Sequence, residues 1–294
     1  MKGTNMGKEV IANLAQRFPQ LYVAPAEDAQ ELHRMAAGRG IVIPDANLDH
    51  FVTSDEDELR VVDTPAGAVE TVFLQERHDF ETFLQIVGHR AQPVEILPEV
   101  GAITYFGLAD WGAVARERKR YLDAGGTDWP QEFKRLATQA QAFRCQLVVL
   151  SSGAYSNVCF KQTPYDEPEW LRLSREIRLY HECAHVVCRR KMPKNIDVLW
   201  DELTADLTGL LFATGGYDVG LAQTFMGVSS DGYVGGRLPE YLDDEQAPRI
   251  DEVSVSIHEA IEKIDAYVRS TPQQDPFEIL LSLKEKPLWS GADA

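Results

Sequence analysis

Apolar positions recur at helical intervals over much of the chain. In the first third their spacing predicts helices near residues 8–18, 27–38 and 78–89, the last carrying Phe80, Phe83, Leu84 and Val87 on one face. Short apolar or alternating runs at 41–43, 58–63 and 68–75 predict strands. Beyond a Pro-bounded stretch at 93–98, two helical patterns at 111–123 and 129–144 are separated by Gly125-Gly126 and a Thr-Asp start. Cys145 to Leu150 is short, β-branched and apolar, which predicts a buried strand. Residues 153–162 read as a second strand or extended edge.

Asp166 followed by Glu169 has the form of a capping box, and Leu173, Ile177, Tyr180 and Ala184 carry a helix over about 167–190 that Pro193 stops. Further helices are expected at about 197–213, ended by Gly215-Gly216, and at about 251–269. The fold class implied is α+β. Residues 1–95 form an N-terminal mixed α/β segment and residues 96–294 a second domain, with the boundary at the prolines.

One motif gives this framework a chemistry. His181-Glu182-Cys183-Ala184-His185 places two histidines one helical turn apart, so both imidazoles reach the same spot and can share one zinc ion. Glu182, offset around the helix, stands within reach of a water on that ion, where it acts as general base. A catalytic zinc needs a third protein ligand, and Glu202 supplies one from the next predicted helix. Asp206, one turn beyond Glu202, can accept a hydrogen bond from the outer nitrogen of a ligand histidine and so fix its tautomer. Cys188, a further turn along from His185, reads as a small buried apolar residue rather than a fourth ligand.

These residues resemble the gluzincin metallopeptidases. Asp201-Glu202-Leu-Thr-Ala-Asp206-Leu-Thr-Gly209 is similar, position by position, to the Asn-Glu-x-x-Ser-Asp-x-x-Gly pattern of thermolysin-like enzymes, and the stretch to Gly216-Tyr217-Asp218 looks like the glutamate helix of the integral-membrane CAAX-protease family. Gly153-Ala154-Tyr155-Ser156-Asn157 is similar to the Gly-Ala-Met-Glu-Asn strand of alanyl-aminopeptidase-like gluzincins. The resemblance covers about 145–220. It implies a zincin-like catalytic domain, a Zn2+ cofactor, attack of zinc-bound water on a peptide bond, and substrate binding along the backbone of Ala154 and Tyr155. It also implies an oxyanion donor after the glutamate helix. Tyr233, His258, Tyr241 and Arg237 are candidates, with Tyr233 on a Gly-rich rim and His258 in an amphipathic helix. Ser156 stands where the aminopeptidases carry the glutamate that holds a free amino terminus, which favours an endopeptidase.

Composition narrows the partners. Forty-six acidic residues against 29 basic give a net charge of −17, and no basic stripe offsets it, so nucleic acid is not an expected partner. A peptide or protein substrate is. No apolar run is long enough to cross a bilayer and the first residues lack a secretory signal's apolar core, so a soluble protein in the cytoplasm is expected. Four cysteines are too few for a disulfide framework. The rival readings are a zinc hydrolase of a non-peptide amide or small metabolite, and a non-enzymatic metal-binding interaction protein. Glu182 speaks against the second, because a structural site has no use for a base.

Overall fold

The computed structural model describes residues 6–41, 43, 46–139, 141–192, 197–271 and 274–289. It is α+β and falls into two compact units, Met1–Val61 with Glu70–Ser152, and Val62–Val69 with Gly153–Ala294.

The first unit holds α1 (Met6–Arg17), α2 (Gln30–Arg39), β1 (Glu58–Val62), β2 (Val69–Leu74), α3 (Arg77–Val87), β3 (Ala102–Ala109), α4 (Trp111–Asp123), α5 (Trp129–Ala137) and β4 (Arg144–Ser151). Its sheet runs β1-β2-β4-β3. The central strands β2 and β4 are parallel, with Thr71 opposite Val148, and they carry the long apolar runs expected of strands covered on both faces. Leu14, Phe18, Phe80, Phe83, Leu147 and Val149 are the heart of this unit's core.

Three expectations change here. The division falls after Ser152 rather than at residue 95, because β3 pairs antiparallel with β4, and β4 with β2, so one sheet ties 102–151 to the N-terminal segment. Strand β3 escaped the hydrophobic pattern because its side chains are half-buried to exposed, without alternation. The helix expected over 129–144 ends at Ala137, and Gln141 and Phe143 take left-handed φ values of 66° and 56° that no helix continues. Of the strand expected at 41–43, position 42 lies outside the described residues, and its two neighbours are not in a strand.

The second unit is almost wholly helical: α6 (Glu167–Lys191), α7 (Val198–Thr214), α8 (Val219–Met226), a two-residue hairpin of β5 (Val228–Ser229) and β6 (Gly232–Tyr233), α9 (Ile250–Ser270) and α10 (Pro276–Glu285). Local chemistry sets the ends of the two long helices. Asp166 caps α6 by accepting from the Glu169 amide at 3.0 Å, while the Glu169 carboxylate turns to Arg172. Asp197 caps α7 through the Trp200 amide at 2.9 Å, and Gly215 closes it at a φ of 75°. The expected stop at Pro193 lies outside the described residues. Trp170, Leu173 and Ile177 of α6 pack with Leu203 and Leu207 of α7, Phe225 of α8, Ile257 and Ile261 of α9 and Leu283 of α10 in one core.

The extended edge expected over 153–162 is not a strand. It forms two short 3-10 turns, Tyr155–Asn157 and Phe160–Gln162, because Ser156 and Asn157 adopt left-handed φ values of 54° and 55° that turn the chain and send Tyr155 inward. No helix among the described residues is long and apolar enough to cross a membrane. No disulfide joins the four cysteines.

Candidate metal centre

Helices α6 and α7 run antiparallel: Ile177 meets Gly209, His181 meets Asp206, and His185 meets Asp201, so ascending positions on one face descending positions on the other. On this frame His181 and His185 turn their Nε2 atoms to within 3.0 Å of each other. The Glu202 carboxylate lies opposite, 3.5 Å from His181 Nε2 and 3.4 Å from His185 Nε2. These two distances go to different oxygens, Oε2 and Oε1, and one ligand atom from each of the three residues lies within 4.8 Å of the other two, a spread that small adjustments would close to the roughly 3.3 Å separating tetrahedral ligands of a zinc ion.

The hydrogen bonds on the far sides of the rings point the same way. His181 Nδ1 is 2.9 Å from Asp206 Oδ1, and His185 Nδ1 is 2.7 Å from Asp201 Oδ2. A carboxylate accepts and cannot donate, so each Nδ1 carries its proton there and each ring, when neutral, presents a lone pair at Nε2. Two lone pairs facing each other across 3.0 Å repel unless a proton or a cation lies between them. The donor set therefore fits a divalent metal with nitrogen and oxygen preference such as zinc.

The electrostatics are strongly polarised. Burial disfavours the His185 imidazolium, but the Asp201 hydrogen bond and the charges of Glu202 and Glu182 outweigh it and raise its pKa to about 9. Burial would push Asp201 up, yet His185 and Lys284 hold it at about 2. Asp206, 1% exposed, is held well below the usual carboxylate range against its burial by the Arg237 charge and by the His181 and Tyr155 hydrogen bonds. Arg237 Nη2 donates to Asp206 Oδ2 at 2.6 Å, and its Nη1 lies 3.9 Å from Glu202. Burial pushes the Cys188 thiol up to about 12, so it stays protonated and outside the ligand set.

The sequence-predicted residues divide accordingly. His181, His185, Glu202 and Asp206 come together as expected. Glu182, half-buried beside them, contributes its charge at His185. Of the four candidate oxyanion donors, Arg237 and Tyr241 reach the cluster, the Tyr241 hydroxyl accepting from Arg237 Nη1 at 3.1 Å. The Tyr233 hydroxyl donates to the Gly236 carbonyl at 2.8 Å and accepts from the Gly236 amide at 3.0 Å, closing its own loop. His258 sits half-buried on α9, and no hydrogen bond or ion pair given by the described residues links it to the ligands.

Ala154 and Tyr155 are placed differently from the substrate-binding strand expected of them. The Tyr155 amide donates to Ser174 Oγ at 2.9 Å and the Ala154 carbonyl accepts from Arg178 at 3.2 Å, so neither is open to an extended chain. The Tyr155 side chain is instead part of the centre. Its hydroxyl donates to Asp206 Oδ1 at 2.6 Å and lies 2.8 Å from His181 Nδ1, with Arg237 over its ring at 5.1 Å. Burial first, then Asp206, pushes the phenol well above its ordinary pKa, so it remains a donor. Sequence reasoning missed this role, and also Asp201 and Lys284. Asp201 had a signal, since the residue just before the ligand glutamate is an amide in the thermolysin-like pattern. Lys284 had none.

A family model covering residues 7–290 matches, and it is described as a family of unknown function, DUF7005. The chain belongs to that family. The match spans both units of this DUF7005 protein, so the helices that carry His181, His185 and Glu202 and the sheet-bearing unit belong to one family unit of sequence. No curated protein and no solved structure matches the chain.

Proposed function

We propose that this DUF7005 protein is a zinc-dependent hydrolase, a gluzincin-like peptidase in which His181, His185 and Glu202 hold the metal. The observation that carries the reading is the convergence of His181 Nε2, His185 Nε2 and a Glu202 oxygen within 4.8 Å of one another, with both outer ring nitrogens already bonded to carboxylates. When bound there, zinc supplies a Lewis acid that activates water and polarises a carbonyl.

The chain's own residues supply the rest. Glu182 takes the proton from the attacking water and returns it to the leaving amine, since a half-buried carboxylate next to the ligands can both accept and donate. Asp206 and Asp201 hold the rings in the ligating tautomer. Arg237 and Tyr241 put positive charge and a hydroxyl on the Glu202 side, where they offset negative charge that develops on a substrate oxygen.

A second reading keeps the chemistry and changes the substrate to a small amide. It is favoured by the 3-10 turn at Tyr155–Asn157, which leaves no open strand there for a long peptide. Metal analysis of the purified protein together with a diverse peptide library tests both. Zinc with peptide cleavage supports the peptidase, zinc with an untouched library supports the small-amide reading, and a chain that takes up no zinc ends both.

A further inference from the structure

The outer sides of the two ligand histidines are built alike. Each Nδ1 meets a carboxylate of α7, and each carboxylate gives its second oxygen to a cation. Asp206 Oδ2 accepts from Arg237, and Asp201 Oδ1 accepts from Lys284 Nζ, both at 2.6 Å. The Lys284 side chain is only 4% exposed, so its ammonium has given up most of its water for this one carboxylate. It comes from α10, 83 residues further along the chain than Asp201. Next to it the Trp200 indole donates to the Leu283 carbonyl at 3.2 Å, so successive residues of α7 grip successive residues of α10.

On the reading of the cluster as a metal centre, we propose that Lys284 is a positioning residue of that centre, pinning Asp201 so that His185 presents Nε2 to the ion. The C-terminal helix α10 is thereby a brace of the metal site. The reason is geometric. A carboxylate can swing about its Cβ–Cγ bond, and Asp201, 19% exposed at its side chain, has water as a competing partner. An ammonium fixed on Oδ1 leaves Oδ2 aimed at His185 Nδ1 at 2.7 Å, and that bond sets the rotation of the imidazole. Without it, ordering the ring becomes a cost of binding the metal. Because coupling is reciprocal, an ion in the site must in turn hold α10 against α7.

The test is a zinc titration of the full chain in five forms: parent, Lys284→Met, Lys284→Arg, Asp201→Asn and the Lys284→Met/Asp201→Asn double variant. Lys284→Met should bind zinc about tenfold more weakly, the scale of losing an outer-sphere partner, and zinc should slow amide exchange in α10 of the parent but not of this variant. In the Asp201→Asn background, which has no carboxylate to pin, Lys284→Met should change affinity by less than about twofold. Lys284→Arg should recover most of the loss. A pair that only stabilises the fold would lower the unfolding temperature and leave zinc affinity and the exchange response alone. That outcome overturns the proposal, as does tighter zinc binding by Lys284→Met or an equal loss in both backgrounds. Should Lys284→Met not fold, Lys284→Gln is judged by the same criteria. A parent chain that binds no zinc instead overturns the metal-centre reading on which the proposal rests.

Discussion

Gly209 of α7 lies so close to Ile177 of α6 that a Cβ at position 209 would come within 2.6 Å of the Ile177 carbonyl oxygen. The contact is between backbones, so no side chain can move to relieve it. It draws the two helices together one turn from His181 and Asp206, whose hydrogen bond of 2.9 Å depends on that approach. Gly209→Ala should destabilise the metal-free protein by about 1–3 kcal/mol, the usual cost of overpacking a tight contact, and weaken zinc binding at the same time. Thermal unfolding with chelator present, followed by zinc titration, separates the two effects. A variant as stable as the parent would mean that the helices can part without penalty.

Glu182→Gln should keep the metal and lose nearly all turnover. The amide neither accepts the proton of the attacking water nor delivers one to the leaving group, a contribution of about 10²–10⁴ in rate. Zinc content measured alongside turnover on any substrate found decides the matter. A variant within a few-fold of the parent would remove Glu182 as the base.

Tyr155→Phe and Asp206→Ala ask what holds His181. Removing the phenol hydroxyl leaves Asp206 with two partners, His181 and Arg237, so zinc affinity should fall only slightly and stability by about 1 kcal/mol. Removing the carboxylate also strips a buried guanidinium of its counter-charge. Asp206→Ala should therefore cost zinc about 10- to 100-fold in affinity and the fold several kcal/mol. Equal effects of the two substitutions would contradict this ranking.

The candidate metal ligands were legible because HExxH and the Glu-x-x-x-Asp spacing each follow from helix geometry within one element. The outer partners were not. Lys284 reaches Asp201 through the packing of α10 on α7, and Arg237 reaches Asp206 through a loop whose path no local pattern fixes. Long helices such as α4 and α6 stood out by periodicity, whereas β3, whose side chains are half-exposed without alternation, left no signal. Tyr155 sits in a stretch that looks like a strand by composition, and two left-handed residues after it turn that stretch into a 3-10 turn. Such φ values at Ser and Asn are settled by tertiary contacts rather than by propensity.

Burial lowers the pKa of His33 and His50 in the first unit, so the folded chain protonates each less readily than the unfolded chain does. Unfolded, each takes a proton near its ordinary pKa of about 6.5. The unfolded state therefore binds more protons below that pH, and the folded state loses stability as pH falls from 6.5 towards the lowered values. With chelator present, the parent should lose stability between pH 7 and 5 more steeply than a His33→Phe/His50→Gln variant. Parallel pH profiles would show that these rings titrate alike in both states.

The last prediction concerns the end of the substrate. An enzyme that removes single residues from a free amino terminus must hold an ammonium beside the metal, and a desolvated ammonium needs a carboxylate or several acceptors in return. Ser156, at the position of the aminopeptidase glutamate, has only a hydroxyl, and that hydroxyl donates to the Phe225 carbonyl at 3.2 Å. Asp201 and Asp206 are each matched by a buried cation. Arg237 moreover sets its positive charge 3.9 Å from Glu202, where it repels a second cation and attracts carbonyl oxygen. If the protein cleaves peptides, acetylating their amino termini should leave the rate within a few-fold, and internal bonds should be cut in both forms. Products released one residue at a time from free peptides, with acetylated ones untouched, would show that an ammonium is held here by a carboxylate other than Asp201 or Asp206.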